Sequence, residues 1–133
     1  MRKANVDANY LLRFLVADDP AQGKTAGDLF AAALSGKAQL VMSPVALFEA
    51  YWVLTSRYGV AEPEARAKIG SFLDARVVEV PDGGAFLAAL AIARKTGHGD
   101  LIDCYHVAFA RLHGAELATF DKALAKLDAK AKG

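Results

Sequence analysis

The sequence predicts an α/β fold, in which short buried strands alternate with helices, usually in pairs, to form a parallel sheet. Four short stretches are bounded by Gly, Pro, Asp or Ser, as is typical of buried strands: residues 4–6, 39–42, 76–80 and 116–119. Between them lie segments of helical length, at about 9–17, 20–35, 44–58, 62–74, 82–96, 100–113 and 121–130.

Capping residues support these helix boundaries. Ser43 precedes Pro44, which is the pattern of an N-cap followed by proline at the first helical position. Asp100 and Asp121 stand directly before helical segments, where each can act as an N-cap. Three glycines stand where helices should end: Gly36, Gly59 and Gly114.

The composition predicts one domain over residues 1–133, with residues 122–133 as a lysine-rich C-terminal helix or tail. A chain of 133 residues with 54% hydrophobic and 23% charged residues can bury a core, which excludes intrinsic disorder. The net charge of +1 points to no class of partner. The four lysines of the C-terminal segment either steer a polyanion or form a solvated end.

Several classes of protein are excluded by what the sequence lacks. Cys104 is the one cysteine, so a disulfide framework or a thiolate metal cage cannot form within the chain, and we expect it to be a small core residue. No apolar run approaches the roughly 20 residues that span a bilayer, and Asp7 and Arg13 interrupt a signal-peptide pattern. We therefore expect a cytoplasmic protein without a membrane partner.

Acidic residues occur where apolar or neutral ones are expected. Glu49 is the single charged residue between Pro44 and Leu54, in a helix that should be buried on most of its faces, unless it lies on one solvated stripe. Asp103 lies one turn inside another apolar helix, at i+3 from Asp100. Such positions are costly for an ionised carboxylate unless a partner compensates it.

Two more acids follow predicted strands. Asp7 comes after residues 4–6 and Asp121 after residues 116–119, so both stand at the carboxyl ends of strands, where α/β proteins bind ligands. Each can also be a helix N-cap, and the two roles are compatible because a cap leaves one carboxylate oxygen free. Carboxylates gathered in one cleft favour a hard cation, Mg²⁺ or Mn²⁺, and such a site suits phosphate chemistry.

With these residues in place, the sequence resembles a PIN-domain ribonuclease, specifically the toxin of a VapBC-type toxin–antitoxin pair. Residues 6–13 resemble the family's opening D-x-N motif, and residues 43–54 resemble its glutamate helix. Residues 100–103 resemble its third motif, and residues 119–121 resemble its T-x-D motif. The matches extend over almost the whole chain, from residue 5 to residue 124.

The resemblance implies a three-layer α/β/α sandwich around a parallel sheet of four to five short strands in the order 3-2-1-4-5. It implies a metal-dependent endoribonuclease, a hydrolase of phosphodiester bonds. Mg²⁺ or Mn²⁺ is then held by Asp7, Glu49, Asp103 and Asp121. Asn9, Thr119 and Asp100 would stand behind these ligands, with Asp100 favoured as a helix cap. The implied partners are an RNA substrate, a cognate antitoxin and a second copy of the chain.

The sequence departs from the family pattern at two places. Ala8 occupies a position where the family often has Thr or Ser, and residues 127–133 lack the apolar run of a last strand. His98, His106 and His113 are interpreted as surface or hydrogen-bonded residues. Two other functions stay open: a PIN-like interaction module without catalysis, and a nuclease of the same superfamily that acts on DNA or structured nucleic acid.

Overall fold

The computed structural model describes residues 2–132 and divides into two compact units, the first ending at Pro81 and the second beginning at Asp82. All seven predicted helices are present, with boundaries within a few residues of those expected. The single domain predicted over residues 1–133 stays a prediction. The helices are α1 (Ala8–Val16), α2 (Pro20–Leu34), α3 (Pro44–Ser56), α4 (Glu62–Asp74), α5 (Gly83–Thr96), α6 (Leu101–Leu112) and α7 (Lys122–Lys132).

The first unit contains a parallel sheet of two strands, β1 (Arg2–Asn5) and β2 (Ala38–Val41). Their register pairs Arg2 with Ala38 and Asn5 with Val41. The Val6 amide extends this ladder by donating to the Val41 carbonyl oxygen at 2.8 Å. Both strands therefore end at the same edge of the sheet, and α1 and α3 begin there.

The third predicted strand, residues 76–80, is reduced to one parallel bridge between Val41 and Glu79. The Met42 amide donates to the Glu79 carbonyl at 3.0 Å, and the Glu79 amide donates to the Leu40 carbonyl at 2.8 Å. This bridge places the segment beside β2, on the side away from β1. The segment, β2 and β1 are neighbours in that order, but two strands and one bridge do not confirm the order 3-2-1-4-5 that the family resemblance implied.

The predicted sheet of four to five strands is not confirmed, because the described residues contain two strands. Residues 115–119 have no regular secondary structure, and none of their side chains is buried. A short strand is stabilised by burying at least one face, and residues 116–119 bury neither. The described part of the C-terminus is the helix α7, so residues 122–132 contain no fifth strand.

In the first unit, α1, α2 and α4 share an aromatic cluster. The rings of Phe30 and Phe72 are 5.1 Å apart, and Phe14 lies 5.0 Å from Phe30 and 6.2 Å from Phe72. Phe30 and Phe72 are buried, whereas Phe14 is 44% exposed. The cluster therefore continues the core outward to the surface.

In the second unit, α5, α6 and α7 form a small helical assembly. Phe86 of α5 is fully buried and lies 6.5 Å from the ring of Tyr105 on α6. Burial, together with the charge of Asp82, raises the pKa of the Tyr105 phenol. Cys104 is fully buried, which confirms it as a core residue. Within residues 2–132, no helix has the length and apolar character that crossing a bilayer requires.

The lysine-rich segment is attached to its own unit. Arg111 of α6 donates to the carbonyl oxygens of Asp128 and Ala131, and Lys130 donates to the carbonyl oxygen of Thr96 at 3.1 Å. Lys132 forms an ion pair with Asp128 at 3.5 Å. At least two of the four lysines thus contribute to the helix and its contacts.

Candidate functional site

Asp7 stands at the carboxyl end of β1 and caps α1. Its Oδ1 accepts a hydrogen bond from the Tyr10 amide at 3.1 Å, while Oδ2 makes no hydrogen bond within residues 2–132. Extending the β1–β2 register by two residues places Asp7 opposite Ser43, the N-cap of α3. Asp7 and Asn9 line the same polar pocket, which has a volume of about 370 Å³.

Glu49 differs from the expectation of a buried helix. The buried residues of α3 lie on one side, and Glu49 lies on the exposed stripe between Val45 and Trp52, whose exposed fractions are 63% and 57%. Its carboxylate makes no hydrogen bond or ion pair with any described residue. The solvated-stripe alternative is therefore correct, and the apolar residues beside Glu49 are surface residues rather than core.

Asp103 is the least exposed of the four predicted ligands, with 21% of its side chain exposed. Its Oδ2 lies 2.9 Å from His98 Nε2, and Oδ1 makes no hydrogen bond within residues 2–132. Asp100 is the N-cap of α6, since its Oδ1 accepts from the amides of Ile102 and Asp103. The preference for Asp100 as a helix cap is confirmed.

Asp121 caps α7 and is held in place by Thr119. The Oδ1 of Asp121 accepts from the amides of Ala123 at 2.8 Å and Leu124 at 3.1 Å. Thr119 Oγ1 accepts from the Asp121 amide at 3.0 Å, which fixes the backbone just before the helix. Phe120, between them, is fully exposed. Thr119 thus contacts the backbone of Asp121 rather than its carboxylate, and its predicted role behind a metal ligand stays a prediction.

The structure thus joins three pairs of the predicted site residues: Asp7 with Asn9, Asp100 with Asp103, and Thr119 with Asp121. Asp7 and Glu49 belong to the first unit, and Asp103 and Asp121 belong to the second. Neither unit, taken by itself over its described residues, brings together three or more His, Cys, Asp or Glu side chains around a common point.

The alternative in which Glu49 is buried is wrong, and Asp103 is only partly buried. No charged side chain among the described residues is buried, and Asp7, Glu49 and Asp121 are exposed. The argument that the fold needs a metal to compensate buried carboxylates therefore does not hold. Asp7 and Asp121 are exposed because an N-cap stands at the outer end of its helix, where water reaches it, whereas Glu49 is exposed because it lies on the solvated stripe of α3.

Sequence reasoning missed the contact between His98 and Asp103. The two residues are five apart across the turn before α6, a spacing that no helix or strand period marks. It also missed Arg13, Gln22 and Thr25, which line the pocket of Asp7. No helix period marks them, since the i+6 spacing of Arg13 from Asp7 places the two residues about 120° apart around α1.

Comparison with known proteins identifies the family. The family model described as "PIN domain" matches residues 5–130, so the chain belongs to the PIN-domain family. PIN domains form a nuclease-type superfamily, and they are generally metal-dependent hydrolases. The matched range contains all seven predicted site residues. No curated protein matches the chain significantly.

Proposed function

We propose that the protein is a metal-dependent endoribonuclease, and that it is the toxin of a VapBC-type toxin–antitoxin pair. Asp7, Glu49, Asp103 and Asp121 are its proposed metal ligands. Membership of the PIN family supports a nuclease, and the four motifs of the sequence support this particular subtype. We place the activity in the cytoplasm, in agreement with the single cysteine of the chain.

One observation carries the assignment: the PIN-domain match extends over residues 5–130 and contains all four acids. Their state is compatible with metal binding, because within the described residues none of the four is neutralised by a lysine or an arginine, as Asp18 is by Arg13 at 3.3 Å and Asp28 by Lys24 at 2.8 Å. Some acids that are not candidates, such as Asp74 and Glu116, also lack such a partner in the described part of the chain. Each candidate also keeps at least one carboxylate oxygen without a hydrogen bond in residues 2–132. Carboxylates in that state repel one another and attract a cation.

The chemistry of these donors fits Mg²⁺ or Mn²⁺. All four are carboxylates, and hard divalent cations prefer oxygen ligands. Bound there, the metal supplies an activated water and neutralises charge on the phosphate. The chain's own residues fix the ligands: amides at the starts of α1 and α7 hold one oxygen each of Asp7 and Asp121, and His98 holds one oxygen of Asp103.

An apolar groove in the first unit supports a protein partner. It has a volume of about 670 Å³ and lies among α1, α2 and α4, with Phe14, Phe30 and Phe72 in its wall and Leu34, 64% exposed, at its edge. Open apolar surface of this kind marks interaction sites. An apolar groove can accept the apolar face of an amphipathic helix, so we assign it to the antitoxin.

The exposed stripe of α3 supports a homodimer. Val45 and Trp52 are each more than half exposed, and the Arg57 guanidinium covers one face of Trp52 at 5.7 Å from the ring centre. Val45 and Trp52 can pack against a second copy across a two-fold axis, in an arrangement that leaves Glu49 of the same stripe open to the metal. Light scattering of the parent protein and of Trp52→Ala tests this, and a parent that stays monomeric contradicts it.

The central experiment measures cleavage of labelled single-stranded RNA with and without Mg²⁺ or Mn²⁺. Asp7→Asn keeps the cap of α1 but lowers the charge, so we expect a folded protein without metal-dependent cleavage. Asp19→Asn is the matched control, because Asp19 caps α2 through the Gln22 amide at 3.0 Å and is not a candidate ligand. Equal cleavage by Asp7→Asn and the parent contradicts the proposed site.

The same assay separates the other functions. A DNA-directed nuclease of the superfamily cleaves the matching DNA and spares RNA. A non-catalytic PIN-like module cleaves neither, whichever metal is added. Co-purification with the product of a neighbouring gene, together with inhibition of cleavage by that product, tests the toxin assignment.

A further inference from the structure

Two adjoining polar pockets lie along α1 and α2 in the first unit, and they share Tyr10 and Thr25. The first, of about 370 Å³, extends from Asp7 to Arg13 and Gln22. The second, of about 280 Å³, extends to Arg2 and Lys37, over an apolar floor that includes Leu29. We call the two pockets together the polar groove.

The polar groove is lined by three cations. Arg2 and Lys37 stand at one end, and neither forms an ion pair with a described residue, whereas Arg13 at the other end is paired with Asp18 at 3.3 Å. The one acid of the second pocket, Asp28, is already paired with Lys24 at 2.8 Å. Asp7 is the only other carboxylate among the residues that line the groove, so the cations outnumber the unpaired acids.

Arg13 is held in a fixed position beside the first pocket. Its Nε donates to Gln22 Oε1 at 2.7 Å, and its Nη1 donates to the Tyr58 hydroxyl at 3.2 Å and to Asp18. Its Nη2 makes no hydrogen bond within residues 2–132. A guanidinium that is already ordered loses little conformational entropy when it binds an anion, so Nη2 is well placed to meet a phosphate.

The length of the groove exceeds that of a single nucleotide. Arg2, at the start of β1, lines one end of the groove, and Asp7, two residues after β1, lines the other. The two residues are five positions apart, and five residues of extended chain span about 16 Å. Tyr10 lies between these ends, half-buried and in the wall of both pockets. A cationic track interrupted by an aromatic ring is the common arrangement of surfaces that bind single-stranded nucleic acid.

We propose that the polar groove binds the single-stranded nucleic acid that flanks the cleaved bond. Its phosphates contact Arg13 at one end and Arg2 and Lys37 at the other, and an unpaired base stacks on Tyr10. That the groove lies beside the scissile phosphate rests on the proposed function, because it depends on Asp7 being a metal ligand. Binding of the nucleic acid to the groove does not depend on that function, because the cations and Tyr10 are not metal ligands.

The polar character of the groove favours a nucleic acid over a protein partner. Asn9, Gln22 and Thr25 supply amide and hydroxyl groups that suit a sugar–phosphate backbone. The apolar groove with Phe14, Phe30 and Phe72 is lined by a different set of residues and has the character of a peptide site. The two ligands therefore have separate surfaces.

The test measures binding of a fluorescent single-stranded RNA of about ten nucleotides by anisotropy, in EDTA so that cleavage does not interfere, over a series of salt concentrations. Arg2→Gln/Lys37→Gln removes two cations of the groove. Lys3→Gln/Arg76→Gln is the matched control, since it removes the same charge from two exposed residues of the same unit that line neither pocket. The logarithm of the binding constant falls with the logarithm of the salt concentration, so this slope is negative. For a single strand, the loss of two phosphate contacts decreases the magnitude of the slope by about 1.4.

We expect that decrease for the groove variant alone, and Tyr10→Leu should weaken binding on the order of tenfold with an unchanged salt slope. Equal effects of the two double variants, no effect of either, or no binding by the parent overturns the proposal. The proposal is also overturned if the groove variant binds RNA as tightly as the parent but no longer binds the antitoxin. A parent that binds with this dependence but does not cleave supports the groove and refutes the proposed function.

Discussion

Asp121 is proposed to have two roles, as the N-cap of α7 and as a metal ligand, and substitution can separate them. Asparagine caps a helix about as well as aspartate, so Asp121→Asn keeps the hydrogen bonds to the amides of Ala123 and Leu124. Asp121→Ala loses those bonds. Both variants lose the charge, and with it the proposed ligand.

The structure sets the expected magnitudes. Loss of an N-cap costs about 1 kcal/mol, and loss of a negative charge at a helix N-terminus costs about 0.5 kcal/mol. For a chain of 133 residues, 1 kcal/mol corresponds to a change in Tm of about 4 °C. We therefore expect Asp121→Asn to melt about 2 °C below the parent, and Asp121→Ala about 6 °C below it.

The assays are thermal unfolding by circular dichroism and cleavage of labelled RNA with Mg²⁺. Both variants should lose cleavage by on the order of a hundredfold or more, because a metal ligand contributes several kcal/mol to the transition state. Asp19 is the matched control, since it caps α2 through the Gln22 amide and is not a candidate site residue. Asp19→Asn should keep most of the activity.

Two results would refute this reasoning. If Asp121→Asn cleaves RNA as well as the parent does, Asp121 is not a metal ligand. If Asp121→Ala and Asp121→Asn melt at the same temperature, the two hydrogen bonds at the start of α7 contribute nothing to stability.

Three further predictions follow from single contacts. Glu49→Gln should change the free energy of unfolding by less than about 0.5 kcal/mol, because Glu49 is exposed and has no partner among the described residues. The same variant should abolish cleavage of RNA. A large loss of stability would contradict the surface position of Glu49. Phe72→Ala should cost about 3–5 kcal/mol in chemical denaturation and Phe14→Ala far less, since Phe72 is 5% exposed and Phe14 is 44% exposed. The hydrogen bond from the Tyr58 hydroxyl, together with the charge of Arg13, holds the pKa of Asp18 below its usual value. Asp18 therefore contributes stability at a pH above its unfolded pKa, and this contribution is lost as the pH falls through the lower folded pKa. Tyr58→Phe should raise the pKa of Asp18 in an NMR titration, and an unchanged value would refute the role of the hydrogen bond.

The helices could be predicted from the sequence because their signals are local. Ser43, Pro44 and Asp100 mark helix starts by chemistry that needs no distant partner, and the structure has caps at those positions. The strands were harder to predict, because a strand is defined by its pairing with another strand. Residues 76–80 and 116–119 have the composition of strands, but the first makes a single bridge and the second makes no regular structure.

The caps Asp7, Asp100 and Asp121 could be predicted for the same reason, whereas the exposure of the candidate ligands could not, and their binding of a metal stays a prediction. Apolar neighbours suggested that Glu49 is buried, but Val45 and Trp52 are themselves exposed, and an apolar sequence does not distinguish a core face from an interaction face. The contact of His98 with Asp103 depends on a turn whose geometry no period encodes.

The exposure of the acids removes one argument for a metal and leaves another. A buried carboxylate would need a cation to be stable, whereas an exposed one does not, so the fold itself does not require the metal. An exposed side chain is usually mobile, but at Asp7 and Asp121 the helix amides hold one oxygen and leave the other unbonded within residues 2–132. Capping therefore orders a ligand before the metal arrives and reduces the entropy lost on binding. This predicts that removal of the metal leaves the helices and the melting temperature nearly unchanged, and a large loss of helix in EDTA would contradict it.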